Sequence, residues 1–358
     1  MTRATPLHDP ATPATRARRV SPNRLLVGIV LAVIAVLGIW LPSVVKNPFY
    51  IGLLIDTALL GIAALAIGFL AHQCGLMMFG VAGFTGGSTY LFAIAVTQFD
   101  CGMASAALFA LLGSTVFSAL VGALIVRTRP LPFAMLTLAL AQMLRSVATI
   151  TAYRSITGGD DGLPMTLSGT FFGLNQTQLS QPQTFWPLAW LTLCAVMLLA
   201  WCVGHSRMGK VLRATRINDE RMRFSGFNTY LPRLLAFTLT GFIAAIAGLL
   251  TALHTAFASP ESLDFITGGN ALVSTLVGGA GTVFGPVLGA LLYTIGQDQF
   301  GATGHLELLT GVGVVAVIVA FREGVMGFIL SGAKRLRQRP AVAEPPVAEP
   351  EASEHVVR

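Results

Sequence analysis

The chain has 358 residues and a net charge of +7, yet only 11% of its residues are charged and 54% are hydrophobic, for a mean hydropathy of +0.72. Soluble domains carry about 25% charged residues to face water, so this composition excludes a soluble globular protein and calls for a surface that faces lipid. The basic residues sit in short segments between apolar runs rather than on one face, which excludes nucleic acid as a partner.

Crossing the hydrocarbon core takes roughly 20 apolar helical residues. On that criterion candidate spans lie near 25–42, 49–71, 84–98, 104–126, 131–153, 186–203, 233–258, 267–280, 284–297 and 305–321. The first follows Arg16, Arg18, Arg19 and Arg24 like the start of a signal peptide. No A-x-A-like cleavage site follows it, so a retained helix is expected. The third, eighth and ninth are short or glycine-rich and read as tilted, broken or re-entrant, which leaves eight to ten spans. The expected fold class is an all-α, polytopic transmembrane helical bundle. Ten spans would permit an inverted repeat of two five-helix halves.

Charge tests this topology. With the N-terminus inside and the chain alternating, twenty of the 23 Lys and Arg residues fall in inside segments. Only Lys46 and Arg154 fall outside, and Arg145 lies within a span. Basic residues stay cytoplasmic during insertion. The expected organisation is a basic cytoplasmic segment at 1–24, a membrane domain at 25–325 and a cytoplasmic tail at 326–358. That tail is rich in Pro, Ala and Glu from Arg339 and reads as disordered. Cys74, Cys101, Cys194 and Cys202 form no CxxC pair and read as inert thiols.

Along the chain, Asp56 and Arg145 are ionisable residues inside expected spans. Such charges cost about 2.5–3.5 kcal/mol each on insertion scales. They are expected to face the bundle interior, where they can pair. Between the second and third spans, Gln73 to Phe84 contains Gly75, Gly80 and Gly83 with Met77, Met78 and Phe79. After the fifth span, Thr157 to Pro164 combines Gly158, Gly159 and Gly162 with Asp160 and Asp161. That composition suits a tight turn, either exposed or close to a solute.

The longest polar loop between spans runs from 204 to 233. From His205 to Arg233 it holds seven basic and two acidic residues. Val211, Leu212, Ile217, Met222 and Phe224 give it an incomplete apolar stripe. This predicts one amphipathic helix over 208–224 that stops at Gly226 and lies on a membrane surface or in a partner's groove. Within it, Gly204 to Lys210 matches G-x-x-x-x-G-K, but Val211 stands where a P-loop needs Ser or Thr and a span precedes it, so nucleotide binding is not expected. Finally, Leu276 to Ala290 contains Gly278, Gly279, Gly281, Gly285, Pro286 and Gly289. The four-residue spacing of Gly281, Gly285 and Gly289 predicts one small-residue helical face for close packing.

These stretches resemble the branched-chain amino acid ABC permease family, LivM-like subunits in particular. Ser206, Arg207, Gly209, Lys210, Leu212, Arg213, Ala214, Arg216, Asn218 and Gly226 stand in register with its cytoplasmic coupling loop. Asp219 replaces the family's Glu, and Arg221 and Met222 replace paired alanines. The 276–290 stretch matches closely, 157–164 more loosely, and 73–84 least, because its polar Ser and His are missing. Gln142 sits where a Glu is common.

The resemblance implies a transport subunit of the bacterial inner membrane, with both termini cytoplasmic. It has no ATPase site or cofactor of its own. The implied partners are a second permease subunit, two ATP-binding cassette subunits that use ATP and Mg, and a periplasmic solute-binding protein. A small polar solute would pass, branched-chain amino acids by default, or urea, amides or carboxylates. Asp56, Gln73, Gly75, Met78, Gly80, Gln142 and Arg145 are then candidates for the path or its gate. A self-contained secondary transporter or channel is the competing class. A membrane enzyme ranks third, because no hydrolase or metalloprotease motif appears.

Overall fold

A computed structural model describes residues 36–44, 47–301, 311 and 324–327. The first and last expected spans lie largely outside the described residues, as do 1–24 and nearly all of 326–358. Besides three single-turn helices (Leu41–Val44, Arg154–Thr157 and Gln176–Leu179), the described helices are α1 (Pro48–Cys74), α2 (Val81–Gln98), α3 (Met103–Ile125), α4 (Pro130–Thr149), α5 (Pro182–His205), α6 (Arg207–Ile217), α7 (Asp219–Phe224), α8 (Tyr230–Thr255), α9 (Phe265–Gly278) and α10 (Gly285–Gly301). Among the described residues the only sheet pairs β1 (Leu163–Pro164) antiparallel with β2 (Phe257–Ala258). The chain is a polytopic helical bundle, as its composition demands.

Among the described residues, five helices, α1, α3, α4, α5 and α8, are long and apolar enough to cross a membrane. α9 has 14 residues, a length of about 21 Å at 1.5 Å per residue, and falls short of a hydrocarbon core of about 30 Å. The eighth expected span is therefore a short helix that turns straight into α10.

α1 is the axle of the bundle. Asn47 caps its start by accepting from the Phe49 amide at 3.1 Å, Pro48 fixes the first turn, and Gly75 ends it in the left-handed region at φ 69°. Every residue from Gly61 to Ala71 is buried, packed among α5, α8, α9 and α10. A helix that is apolar all round belongs in such a core. α3 and α4 instead expose Leu112, Val116, Leu120, Leu131, Met135 and Met143, the faces that meet lipid.

Lipid supplies no hydrophobic drive between helices, so close approach and hydroxyl bonds do the joining. Ser88 donates to the Ala245 carbonyl at 2.6 Å, Thr89 to Gly248 at 2.9 Å and Thr275 to Ala64 at 2.9 Å. Tyr230 donates to Ala123 at 2.9 Å. Phe84 and Phe133 each meet Phe237 edge-on at 5.6 Å.

Candidate functional site

The polar loop folds as two helices, not one. Asn218 breaks the expected 208–224 helix because it leaves helical backbone (φ −155°, ψ 99°) and accepts from the Arg221 amide at 2.9 Å, which starts α7 afresh. Gly226 ends α7 at φ 79°, with Phe227 N–H bonding Met222 O at 3.1 Å and Gly226 N–H bonding Arg223 O at 2.9 Å. At the other end, Ser206 caps α6 by accepting from the Gly209 amide at 3.3 Å, and its carbonyl takes the Lys210 amide. Gly204 to Lys210 is thus the end of one helix and the start of the next, and its Ser206, Gly209 and Lys210 amides are used within the chain.

α6 lies against the Cys74 end of α1. Leu212 and Thr215 point into the bundle and are buried. Gly209 passes so close to α5 that a methyl group there would lie 2.2 Å from the Gly204 carbonyl oxygen. Arg216 donates from Nη1 to the His72 carbonyl at 2.8 Å, one of the open carbonyls at the end of α1. Its stem packs on Gly75. Asp219 holds Arg223 at 2.8 Å and Arg233 of α8 at 3.4 Å, which ties α7 to α8. The expected apolar stripe divides: Leu212 is buried, whereas Ile217 is 86% and Phe224 91% exposed. Arg207, Lys210 and Arg221 are exposed beside them, and Arg213 is half-buried.

Asp56 and Arg145 do not pair. Arg145 Nη1 lies 3.7 Å from Asp264 Oδ1, and Asp264 also caps α9 by accepting from the Phe265 amide at 2.7 Å. Asp264 had read as lying outside the spans, but the 256–264 segment folds back against α2, bringing Ser262 and Leu263 onto Gly86. Arg145→Ala is expected to lower stability by about 1 kcal/mol, since the pair is part-exposed. Asp264→Ala, which also loses a cap, costs about 2 kcal/mol. Thermal unfolding of the purified variants checks both; equal losses would remove the cap from the account.

Asp56 is not enclosed in the packed core. It is exposed on the Pro48 half of α1, on one face with Leu60 and Ala63 at i+4 and i+7. Those two residues line a cleft of about 150 Å³ between α1, α2, α8 and α9, whose other walls include Thr85, Thr89, Thr251, Ser262 and Thr267. His254, one turn beyond Thr251 on α8, is within electrostatic reach of Asp56. These threonines gave no sequence signal, because a hydroxyl bonded to its own helix looks like any other helical residue.

The remaining candidates sit elsewhere. Gln73 is buried beside Gly204, and its Oε1 has no partner among the described residues. Met78 is fully buried. Gly80 opens α2 against the Thr137 backbone, with its amide 3.4 Å from Thr137 Oγ1. Gln142 is half-buried, with Nε2 unpartnered among the described residues. The 157–164 stretch is an outlying turn: Gly158, Gly159 and Gly162 all take positive φ, and Asp161 pairs with Arg154.

The glycine stretch packs as expected with one exception. Gly279, at φ 96°, ends α9, and Thr282 Oγ1 accepts the Gly285 amide at 3.0 Å to start α10. Pro286 follows within α10, its ring against Gly68 of α1. Gly278, Gly285 and Gly289 bring the α9 and α10 backbones together, whereas Gly281 lies in the turn, where an added methyl would meet nothing within 4 Å among the described residues. The predicted face of Gly281, Gly285 and Gly289 therefore loses its first member. Among the described residues, no group of His, Cys, Asp or Glu could hold a metal ion.

A multi-pass bundle with a polar double helix clamped to one end of its central span, and a largely apolar cleft carrying five hydroxyl side chains toward the other, fits a membrane component of a transport system. The family described as branched-chain amino acid transport system, permease component, matches residues 49–330, and the chain belongs to that family. It is similar to the autoinducer 2 import system permease protein LsrC of Yersinia pseudotuberculosis serotype O:3 (strain YPIII), 30% identical over 215 residues, 54% of this chain and 56% of that protein. The same-named protein of Yersinia pestis (strain Pestoides F) is 31% identical over 208 residues, 54% of this chain and 53% of that one. The chain spans about half the length of the curated relatives it matches. No solved structure matches it.

Proposed function

We propose that this chain is the membrane-spanning subunit of an ABC importer in the bacterial inner membrane, with separate ATPase subunits docking on α6 and α7 and a small polar solute passing along the cleft beside Asp56. The observation that carries the reading is the division of labour in the 204–233 loop. Its base is clamped into the bundle by Arg216 and Asp219, while Ile217 and Phe224 stand almost fully exposed at its tip. Large apolar side chains on a polar loop mark a docking surface. Charge distribution supports a cytoplasmic position for this loop and both termini. A second permease subunit and a periplasmic binding protein complete the assembly. ATP and Mg belong to the partner ATPases, and this chain carries no cofactor.

Branched-chain or related amino acids are the proposed solute, on the strength of the family description. The relatives named for autoinducer 2 import support a second reading. Uptake of labelled leucine and of autoinducer 2 into cells with and without the chain separates the two. Uptake that survives ATP depletion but collapses with the proton gradient would replace the importer reading with a secondary transporter. Phe224→Glu is expected to leave the chain in the membrane at its normal level, to release the ATPase subunits on purification and to lower uptake at least about tenfold, the loss of roughly 1.4 kcal/mol of docking energy or more. Full ATPase recovery with Phe224→Glu would place docking elsewhere.

A further inference from the structure

The cleft has an unusual chemistry: it offers acceptors and almost no donors. A hydroxyl carries one proton and two lone pairs, and here the protons are spent on backbone carbonyls. Thr89 donates to Gly248 at 2.9 Å, Thr251 to Ala247 at 3.0 Å, Ser262 to Ser259 at 2.7 Å and Thr267 to Glu261 at 2.8 Å. Thr85, with long bonds of 3.4 and 3.3 Å to Val81 and Ala82, is the one hydroxyl free to turn and donate. Among the described residues, the rest of the lining is aliphatic or glycine, without Lys, Arg, His or a side-chain amide. Asp56, one helical turn from Leu60 on the same face of α1, puts a carboxylate near the cleft without lining it. Arg145 on α4 does not line the cleft; its guanidinium faces Asp264 at 3.7 Å, with Nε unpartnered among the described residues. The His254 ring stacks on Phe185 at 4.6 Å, with Nδ1 3.2 Å from the Leu179 carbonyl oxygen.

We propose that this cleft is a charge and donor filter: it passes neutral or cationic solutes rich in N–H and O–H groups and turns away free anions. The inference rests on the reading of the cleft as the solute path. A carboxylate entering it would shed water and find only Thr85 to donate, a costly exchange for an ionised group, and it would meet the Asp56 field first. A polyol, an amide or an ammonium group finds four hydroxyl oxygens ready to accept. A zwitterion, net neutral, is not turned back by the Asp56 field as a free anion is.

The test is the labelling rate of a single cysteine placed in the cleft, Thr251→Cys or separately Thr267→Cys, in full-length chain whose own four cysteines are replaced. Membrane vesicles are treated with methanethiosulfonates carrying either a trimethylammonium or a sulfonate group. A chain that keeps only the exposed Cys202 supplies the reference ratio. The ammonium reagent is expected to react at least about tenfold faster than the sulfonate, relative to that reference, since a cleft of one sign concentrates counter-ions by this much or more. Asp56→Asn should shrink the gap. Equal relative rates would overturn the filter and leave the path reading standing. Labelling by neither reagent, with Cys202 labelled normally, would show that the cleft is closed to water and overturn both.

Discussion

Gly289→Ala lowers the thermal unfolding midpoint of the purified protein by about 5–10 °C, and Gly281→Ala leaves it within about 1 °C. The two glycines lie eight positions apart in one motif, and a reading from spacing alone treats them alike. Geometry separates them. A methyl group on Gly289 would lie 1.8 Å from the Ser274 carbonyl oxygen and 2.6 Å from the Gly278 amide nitrogen. Both obstacles are backbone, so no side chain can rotate to make room, and α9 and α10 must separate. That separation also strains the contacts that seat the pair on α1: Thr275 Oγ1 on the Ala64 carbonyl at 2.9 Å, and Pro286 on Gly68. In a bilayer, where close packing replaces the hydrophobic drive, the loss is not recovered by burial. Gly278→Ala should behave as Gly289→Ala does, with its methyl 1.8 Å from the Gly285 carbonyl oxygen. Unchanged midpoints in both would show that α9 and α10 do not pack backbone to backbone.

The spans were legible because length and apolarity alone decide them. α1, α3, α5 and α8 begin and end within a few residues of the expected runs, and the shortness of the 267–280 run is realised in α9. Local signals held where a single residue carries them, as with Gly226 at the end of α7. Two were present and outweighed: Asn218, a strong N-cap residue, sat inside an apolar periodicity that suggested one helix, and Gly279 and Thr282 marked a turn inside a glycine spacing that suggested one face. Pairing across the bundle was not legible. Arg145 could be matched with Asp56 because both interrupt apolar runs, yet its partner is Asp264, which a hydropathy count places outside the membrane. Nothing in the sequence says that the 256–264 segment folds back onto Gly86. The cleft hydroxyls were invisible for a related reason: which side of a helix faces a gap depends on neighbours that are distant in the chain.

Arg216→Glu should uncouple the importer without detaching its ATPases. Arg216 lies where the coupling segment meets α1: its guanidinium donates to His72 O at 2.8 Å and its stem fills the space over Gly75. A charge-assisted bond of this kind contributes about 1.5–3 kcal/mol. Glutamate would replace it with a like-signed contact at the negative end of a helix. From His72, α1 runs unbroken to Asp56, about 24 Å at 1.5 Å per residue, and its middle is locked in the core. A rigid element held at both sites is what can carry a displacement from one to the other. The tip residues Ile217 and Phe224 are untouched by the change, so ATPase subunits should still co-purify, with basal hydrolysis intact. Solute-stimulated hydrolysis and uptake should fall about tenfold to a hundredfold, the range set by the lost bond. Arg216→Lys, which keeps a cation near His72, should recover part of the loss. Gly209→Val approaches the same joint from the other side, by forcing α6 away from the Gly204 carbonyl, and should match Arg216→Glu in hydrolysis and uptake. If Arg216→Glu released the ATPases as Phe224→Glu is expected to, the segment would be a docking patch alone, and α1 would have no part in transmitting the stroke.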